Sequence, residues 1–271
     1  MAGESLAQAG SNTVAGTRID DELHAPPAAR GVGGQRMRPR AWLPRLEPAE
    51  RPHWFGGPDD ETVHSLDNLR IANRYFGGAR SVLRPICGLL RSSAPDGARV
   101  LDVGCGGADV ARALADWARR HAVRLQITAV DRDPVVVARA TAASRAWPEI
   151  RLVHADAARL PFAERSFDYV MSSMLLHYFG LGEAAGLLAG WRKLATRAVV
   201  VADVRRHWFP CVAIDLLGRV SRHPLFREGH GRTIRRGFTP RELGYLGGQA
   251  GFARMRVRRH VPFRLSLVGL L

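Results

Sequence analysis

Arg99-Val100-Leu101-Asp102-Val103-Gly104-Cys105-Gly106-Gly107-Ala108-Asp109 is the stretch that decides the fold. A short apolar run ends in three glycines within four residues, and Val110, Ala111, Leu114 and Ala118 follow at helical spacing. The pattern predicts a strand, a tight turn and a helix N-terminus. That arrangement makes a nucleotide-type site, because glycine lets backbone N–H groups approach a ligand closely. A dinucleotide fingerprint needs Gly or Ala at the sixth position from Gly104. Asp109 stands there, and its charge would repel a pyrophosphate but suits a cationic ligand.

Outward from this corner, strand and helix patterns alternate. Leu125 to Val130, Ile150 to His154, Phe167 to Ser172 and Ala198 to Val204 read as further strands. Pro134 to Ser144 and Glu183 to Leu194 read as helices between them. Such alternation predicts an α/β fold with a parallel sheet covered by helices on both faces. Thr239-Pro240-Arg241-Glu242 is a helix start with Thr as N-cap, Pro at the first position and Glu completing a capping box. Phe252 to Arg258 and Phe263 to Leu267 alternate as an antiparallel pair.

Before the corner, residues 1–40 are rich in Ala, Gly, Ser and Pro without a helical or strand period, and read as a mobile tail. Residues 41–94 read as a helical lid segment. Trp42, Trp54 and Phe55 lie among prolines; Val63, Leu66, Leu69 and Ile71 recur at helical intervals. Gly77-Gly78 breaks that run before Val82, Leu83, Ile86 and Leu89-Leu90. The main domain then covers 95–271, with an irregular, Arg-rich insertion at 205–237.

Two acids fall where an open α/β sheet binds ligands, at the carboxyl ends of its strands. Asp131 ends the second strand, 25 residues beyond Gly106 and near the spacing at which an acid meets ribose hydroxyls. Helix capping suits Asp133-Pro134 better. Asp156 ends the third strand, where its carboxylate can accept from an exocyclic amine such as that of adenine or serve only a turn.

Val100 to Asp109, Asp131, His154-Ala155-Asp156-Ala157 with Leu160-Pro161-Phe162, and Ser166-Phe167-Asp168-Tyr169-Val170 resemble the successive motifs of class I S-adenosylmethionine (SAM)-dependent methyltransferases. The similarity is closest to the small-molecule, ubiquinone/menaquinone-type branch and covers about residues 95–205. Asn73-Arg74-Tyr75-Phe76-Gly77-Gly78 and Phe263-Arg264-Leu265 look similar to bacterial methyltransferases that accompany type III polyketide synthases. The resemblance implies a Rossmann-like, seven-stranded, mostly parallel sheet ending in an antiparallel hairpin. It implies SAM as cofactor, with the Gly104-Cys105-Gly106 turn and Asp102 beside its methionine part. Asp131 with Arg132 would serve the ribose, Asp156 with the Ala157 backbone the adenine, and Ser172 would complete the cofactor set. Ala108 departs from the family pattern, which has a third glycine there.

The expected reaction is methyl transfer to a small, mostly apolar metabolite, first a phenolic, polyketide or quinone-like hydroxyl, as in secondary metabolism. C-methylation of an activated ring is the near alternative. An RNA or protein methyltransferase and a non-catalytic SAM-binding scaffold are the others. Ser172-Ser173-Met174-Leu175-Leu176-His177-Tyr178 lacks the Asn/Asp-Pro-Pro-aromatic signature of enzymes that methylate exocyclic amines of nucleic-acid bases. His177 is the first candidate base and His207 the second, since imidazole titrates near neutrality. Either could instead be structural. Asp203 is placed to lock a strand end. Tyr75, Phe76, Trp208, Phe209, Leu216 and Leu217 are candidates for an apolar pocket wall.

Composition narrows the partners. The 271 residues carry a net charge of +15, but Lys193 is the only lysine, and such an Arg skew speaks of coding bias as much as of phosphate binding. Residues 205–271 hold fourteen Arg against Asp215, Glu228 and Glu242, so most of the excess lies beyond the cofactor motifs. Solvated charge is the default reading of those arginines; they also suit an anionic substrate, an acidic carrier or biosynthetic partner protein, or a membrane surface, and nucleic acid is disfavoured. Cys87, Cys105 and Cys211 show no Cys-x-x-Cys spacing, so neither a disulfide framework nor a metal site is expected. No apolar run is long enough to span a bilayer and no secretory leader is evident, which predicts a cytoplasmic protein.

Overall fold

The computed structural model describes residues 43–47, 77–93, 97–211 and 230–271. Its chain order is α1 (Gly78–Ser93), β1 (Ala98–Val103), α2 (Asp109–Arg120), β2 (Leu125–Asp131), α3 (Pro134–Ala143), β3 (Ile150–His154) and β4 (Phe167–Ser173). A 3-10 turn (Leu176–Tyr178), α4 (Leu181–Leu194), β5 (Ala195–Val204), α5 (His230–Arg236), α6 (Pro240–Gln249), β6 (Arg254–His260) and β7 (Arg264–Leu270) follow. The strands form one seven-stranded sheet in the order β3-β2-β1-β4-β5-β7-β6. The first five are parallel; β7 runs antiparallel to both β5 and β6. This is the Rossmann-like methyltransferase fold.

Alternation along the strands builds two cores. Val100, Ile127, Ala129, Met171, Ala198, Val200 and Ala202 face Val82, Ile86 and Leu90 of α1 and Leu114 of α2. Leu101, Val103, Val130, Val170, Val199 and Val201 face Leu188 and Trp191 of α4 and Leu243 and Leu246 of α6. Strands buried on both faces read as near-continuous apolar runs, which is why Val199 to Ala202 carries no polar residue. Acids stand toward the carboxyl ends of β1, β2 and β5, at Asp102, Asp131 and Asp203.

The capping box on α6 forms as its sequence requires: Glu242 N donates to Thr239 Oγ1 at 3.3 Å, and Thr239 N to Glu242 Oε2 at 2.8 Å. Asp133 caps α3 by accepting from Val135 N at 2.9 Å. Some boundaries differ from expectation. β5 starts at Ala195, directly after α4, because Ala195 pairs with Phe167 across a register shift. The hairpin strands begin and end a few residues later than the alternation alone suggests. Within the segment expected to be irregular, His230–Arg236 is a helix. The tail at 1–40, the helix carrying Val63 to Ile71, and residues 212–229 of the insertion lie outside the described residues. No helix among the described residues is long and apolar enough to cross a membrane.

Ala108 caps α2 in the left-handed region (φ 57°, ψ 26°) with its methyl fully buried. Left-handed backbone costs an L-residue about 1–2 kcal/mol, while deleting a buried methyl costs about 0.8 kcal/mol. The two oppose each other. Ala108→Gly is therefore expected to change unfolding free energy by less than about 1 kcal/mol, as measured by denaturant titration. The missing family glycine is tolerated because the methyl has a packing role.

Candidate cofactor and active site

The carboxyl edge of β1 and β2 gathers the acids. Asp102 alternates with Val100, and Asp131 with Ala129 and Ile127, so both project from the α2 face of adjacent strands. Gly104 N and Cys105 N donate to Val130 O, each at 2.9 Å, which folds the turn across the end of β2. Gly104 and Gly106 hold φ values of +71° and +51°, conformations that glycine adopts without penalty. A Cβ on Gly104 would come within 2.7 Å of the Leu175 Cδ2 methyl, which would have to swing aside.

Asp131 ties the turn down. Its Oδ2 accepts from Gly106 N at 2.9 Å and its Oδ1 from Asp133 N at 3.1 Å. Burial raises its carboxyl above the usual range despite these bonds. Asp102 lies deeper and has less help. Its Oδ2 is buried without a hydrogen-bond partner, and burial together with the neighbouring Asp131 charge pushes its carboxyl up to about 7. Burial likewise lifts the Cys105 thiol well above its ordinary range, so that thiol is a packing group.

Around the turn, Arg112 donates to Gly107 O at 2.7 Å and pairs with Asp109. Asp109 thus has a cation of its own, and its charge is not directed at a ligand. Sequence reasoning missed Arg112; the signal was its spacing, one helical turn after Asp109. Arg132 offers its carbonyl to His154 Nε2 at 2.9 Å. Asp156 stands two residues past β3, half-buried, with Oδ1 accepting from Ala158 N at 2.8 Å. Trp191 Nε1 donates to Ala157 O at 3.0 Å and fixes that backbone. The Ser172 hydroxyl is fully buried and donates to Val103 O at 2.8 Å, bracing β4 against β1 beneath the turn.

A second cluster sits at the ends of β4 and β5. Met174 takes φ +61°, and the 3-10 turn after it carries His177 back over β5. His177 Nδ1 lies 2.7 Å from Asp203 Oδ1, and His177 N donates to Asp203 Oδ2 at 3.1 Å. Both side chains are fully buried. A carboxylate only accepts, so Nδ1 carries the proton and Nε2 is left as the acceptor. That Nε2 is buried and has no partner. Asp203 also accepts from Val204 N at 2.7 Å, and the buried Arg264 guanidinium interacts favourably with its charge. Tyr178 packs against the His177 ring at 4.1 Å, and burial, with Asp203, pushes its hydroxyl up to about 12.

His207 stands apart from this pair. Its Nδ1 accepts from Phe209 N at 3.3 Å, and burial with the Arg205 charge lowers its pKa, so it is neutral at pH 7. About half of each of the Trp208 and Phe209 side chains faces solvent. Tyr75, Phe76, Leu216 and Leu217 fall outside the described residues. Sequence reasoning also missed Arg206, whose buried guanidinium bonds to Gly237 O at 2.8 Å and pairs with Glu242. It anchors α6 to the segment that leaves β5.

Comparison with known proteins agrees with this geometry. Residues 100–197 match the family model described as a methyltransferase domain. A 78-residue stretch is 36% identical to the demethylmenaquinone methyltransferase of Bacillus licheniformis, covering 29% of this chain and 32% of that protein. The chain thus spans about a third of the length of that curated relative. Among solved structures, it is similar to a SAM-dependent methyltransferase from Aquifex aeolicus (TM-score 0.54, 14% identity, 79% of this chain and 98% of that one). It is also similar to magnesium protoporphyrin IX methyltransferase from Synechocystis with bound SAH (TM-score 0.56, 14% identity, 80% and 96%). The residues present fit SAM: the orphaned Asp102 oxygen and the glycine turn leave one buried anionic position for a cationic ligand. Residues 100–197 thus match a methyltransferase-domain family model, and the sheet they help to build has the Rossmann-like fold of the solved SAM-dependent methyltransferases.

Proposed function

We propose that the protein methylates a hydroxyl of a small, mostly apolar acceptor, phenolic, polyketide-like or quinone-like. The observation that carries this reading is the buried His177–Asp203 pair, whose one free ring nitrogen is an unpartnered acceptor at the carboxyl edge of the sheet. SAM, when bound, supplies a methyl group already activated by its sulfonium. What remains for the chain is to hold the cofactor, align the acceptor and remove a proton. Asp102 and the Gly104–Gly106 turn hold the methionine end, Asp131 and Arg132 the ribose, and Asp156 with Ala157 the adenine. Ser172 supports that set from below. His177 Nε2 takes the hydroxyl proton while Asp203 keeps the ring in the right tautomer and stabilises the cation formed. His207 is the secondary candidate, neutral but turned into a local bond. The same proton removal would activate the neighbouring carbon of a phenol, so C-methylation follows from the same residues.

Calorimetric titration of SAM tests the first half. The wild type is expected to bind, and Asp131→Ala to weaken binding by at least about tenfold, because it loses both a ribose partner and the anchor of Gly106. No binding by the wild type would end the methyltransferase reading. A mass-spectrometric search of a cell extract for a SAM-dependent gain of one methylene then identifies the acceptor.

A further inference from the structure

Buried polar atoms in folded proteins nearly always have a hydrogen-bond partner, so each exception needs a structural reason or a partner from outside the chain. Three exceptions share one face of the sheet at its carboxyl edge: Asp102 Oδ2, Ser173 Oγ and Arg264 Nε. Strand register puts them there. Asp102 pairs with Met171 and Met171 with Val200, while Ser173 pairs with Ala202. One alternation beyond Ala202, Val204 pairs with Arg264. Met171, Val200 and Ala202 belong to the core beneath α1, so the three polar side chains stand on the α1 side of β1, β4 and β7.

Asp102 is the cofactor's. Ser173 and Arg264 have no part in holding SAM or in removing a proton. Their strands flank β5 and so run about 10 Å apart, the span of a small molecule rather than of one hydrogen bond. Arg264 is only 8% exposed, and burial lowers its pKa. Its one hydrogen bond runs from Nη1 to the carbonyl of its own neighbour, Phe263, at 3.4 Å. Asp203 favours the charge without forming an ion pair, and its oxygens already accept from His177 Nδ1, His177 N and Val204 N. Nε and Nη2 of Arg264 thus remain as a two-pronged donor edge, the shape that matches the two oxygens of a carboxylate. A guanidinium buried without an anion is costly, so an arriving carboxylate would relieve it.

We propose that the methyl acceptor is a hydroxylated aromatic or enolic acid whose carboxylate is held by Nε and Nη2 of Arg264. The Ser173 hydroxyl meets the acceptor between that anchor and the cofactor. This rests on the reading of the edge as a methyl-acceptor site, and it narrows the acceptor to a mostly apolar molecule with one anionic end.

The test is calorimetric titration of the full chain, loaded with S-adenosylhomocysteine, with para-hydroxybenzoate and with its neutral isostere para-hydroxybenzamide. The acid should bind at least about tenfold tighter. Arg264→Met should abolish that preference and leave the affinity for S-adenosylhomocysteine within about twofold, since β7 lies three strands from β1. If Arg264→Met does not fold, Arg264→Lys decides: a single ammonium cannot bridge both oxygens, so the preference should drop by at least about threefold. Ser173→Ala should weaken the acid by about fivefold, and an unchanged affinity removes Ser173 from the site. A loaded wild type that binds neither probe, or both alike, overturns the proposal, as does a preference that the Arg264 variants retain. Failure of the wild type to bind the cofactor at all would instead end the methyltransferase reading.

Discussion

His177→Gln is expected to lower kcat for methyl transfer by about 10²- to 10⁴-fold, the range that general-base catalysis contributes, while SAM affinity stays within about twofold. Glutamine can still donate to Asp203, so the buried carboxylate keeps a partner and the fold should hold. The substitution removes the ring nitrogen proposed to take the proton. The checking measurement is kcat on the acceptor found by the extract search, with SAM affinity measured alongside. A variant within tenfold of wild-type kcat would reduce His177 to a loop-orienting residue. In that case His207, neutral at pH 7 through burial and Arg205, becomes the base to test.

Asp102→Asn is expected to do two opposite things. Burial and the Asp131 charge hold the Asp102 carboxyl near 7, against 3.8 for an ordinary aspartate. Between these values the folded state holds a proton that the unfolded state has released. Stability therefore falls as pH rises from about 4 to about 7, and the loss is complete above 7. A difference of that size corresponds to at most about 4 kcal/mol. Asparagine cannot ionise, so the variant should be more stable than wild type at pH 8 by up to that amount, and equal to it near pH 4. Thermal unfolding across pH checks the sign. The same carboxylate is what a cationic methionine end would pair with, so SAM binding should fall by at least about a hundredfold. Wild-type affinity should drop below pH 7, as binding there must first displace a proton. A variant that is no more stable at pH 8, yet binds SAM normally, would show that Asp102 is neither strained nor used.

The strand–turn–helix corner was legible because its signals are local. Three glycines, a helical apolar face and a strand of apolar residues leave few other folds, and the order of acids at strand ends followed from the same alternation. The Asp133 cap and the α6 capping box were legible for a similar reason: donor and acceptor lie within three residues of each other. What the sequence hid is what depends on distance along the chain. Arg206 meets Glu242 across 36 residues and Asp203 meets His177 across 26, and no periodicity announces either pair. Trp208 and Phe209 show the limit most clearly. Their residue type offers them as pocket-wall candidates, but that about half of each lies in solvent at the exit of β5 is a tertiary fact.

The strand order carries a consequence for how the molecule is made. β7 is later in sequence than β6, yet it lies between β6 and β5. Until Arg264–Leu270 leave the ribosome, β5 presents an open edge along its apolar Ala198–Ala202 run, and β6 has no neighbour to bond to. Five strands can assemble in order as they emerge, but the seam must wait for the hairpin to insert. That interval exposes the kind of edge that aggregates. The four arginines of β6 then act as gatekeepers during synthesis, keeping the unpaired strand in solution until its partner arrives.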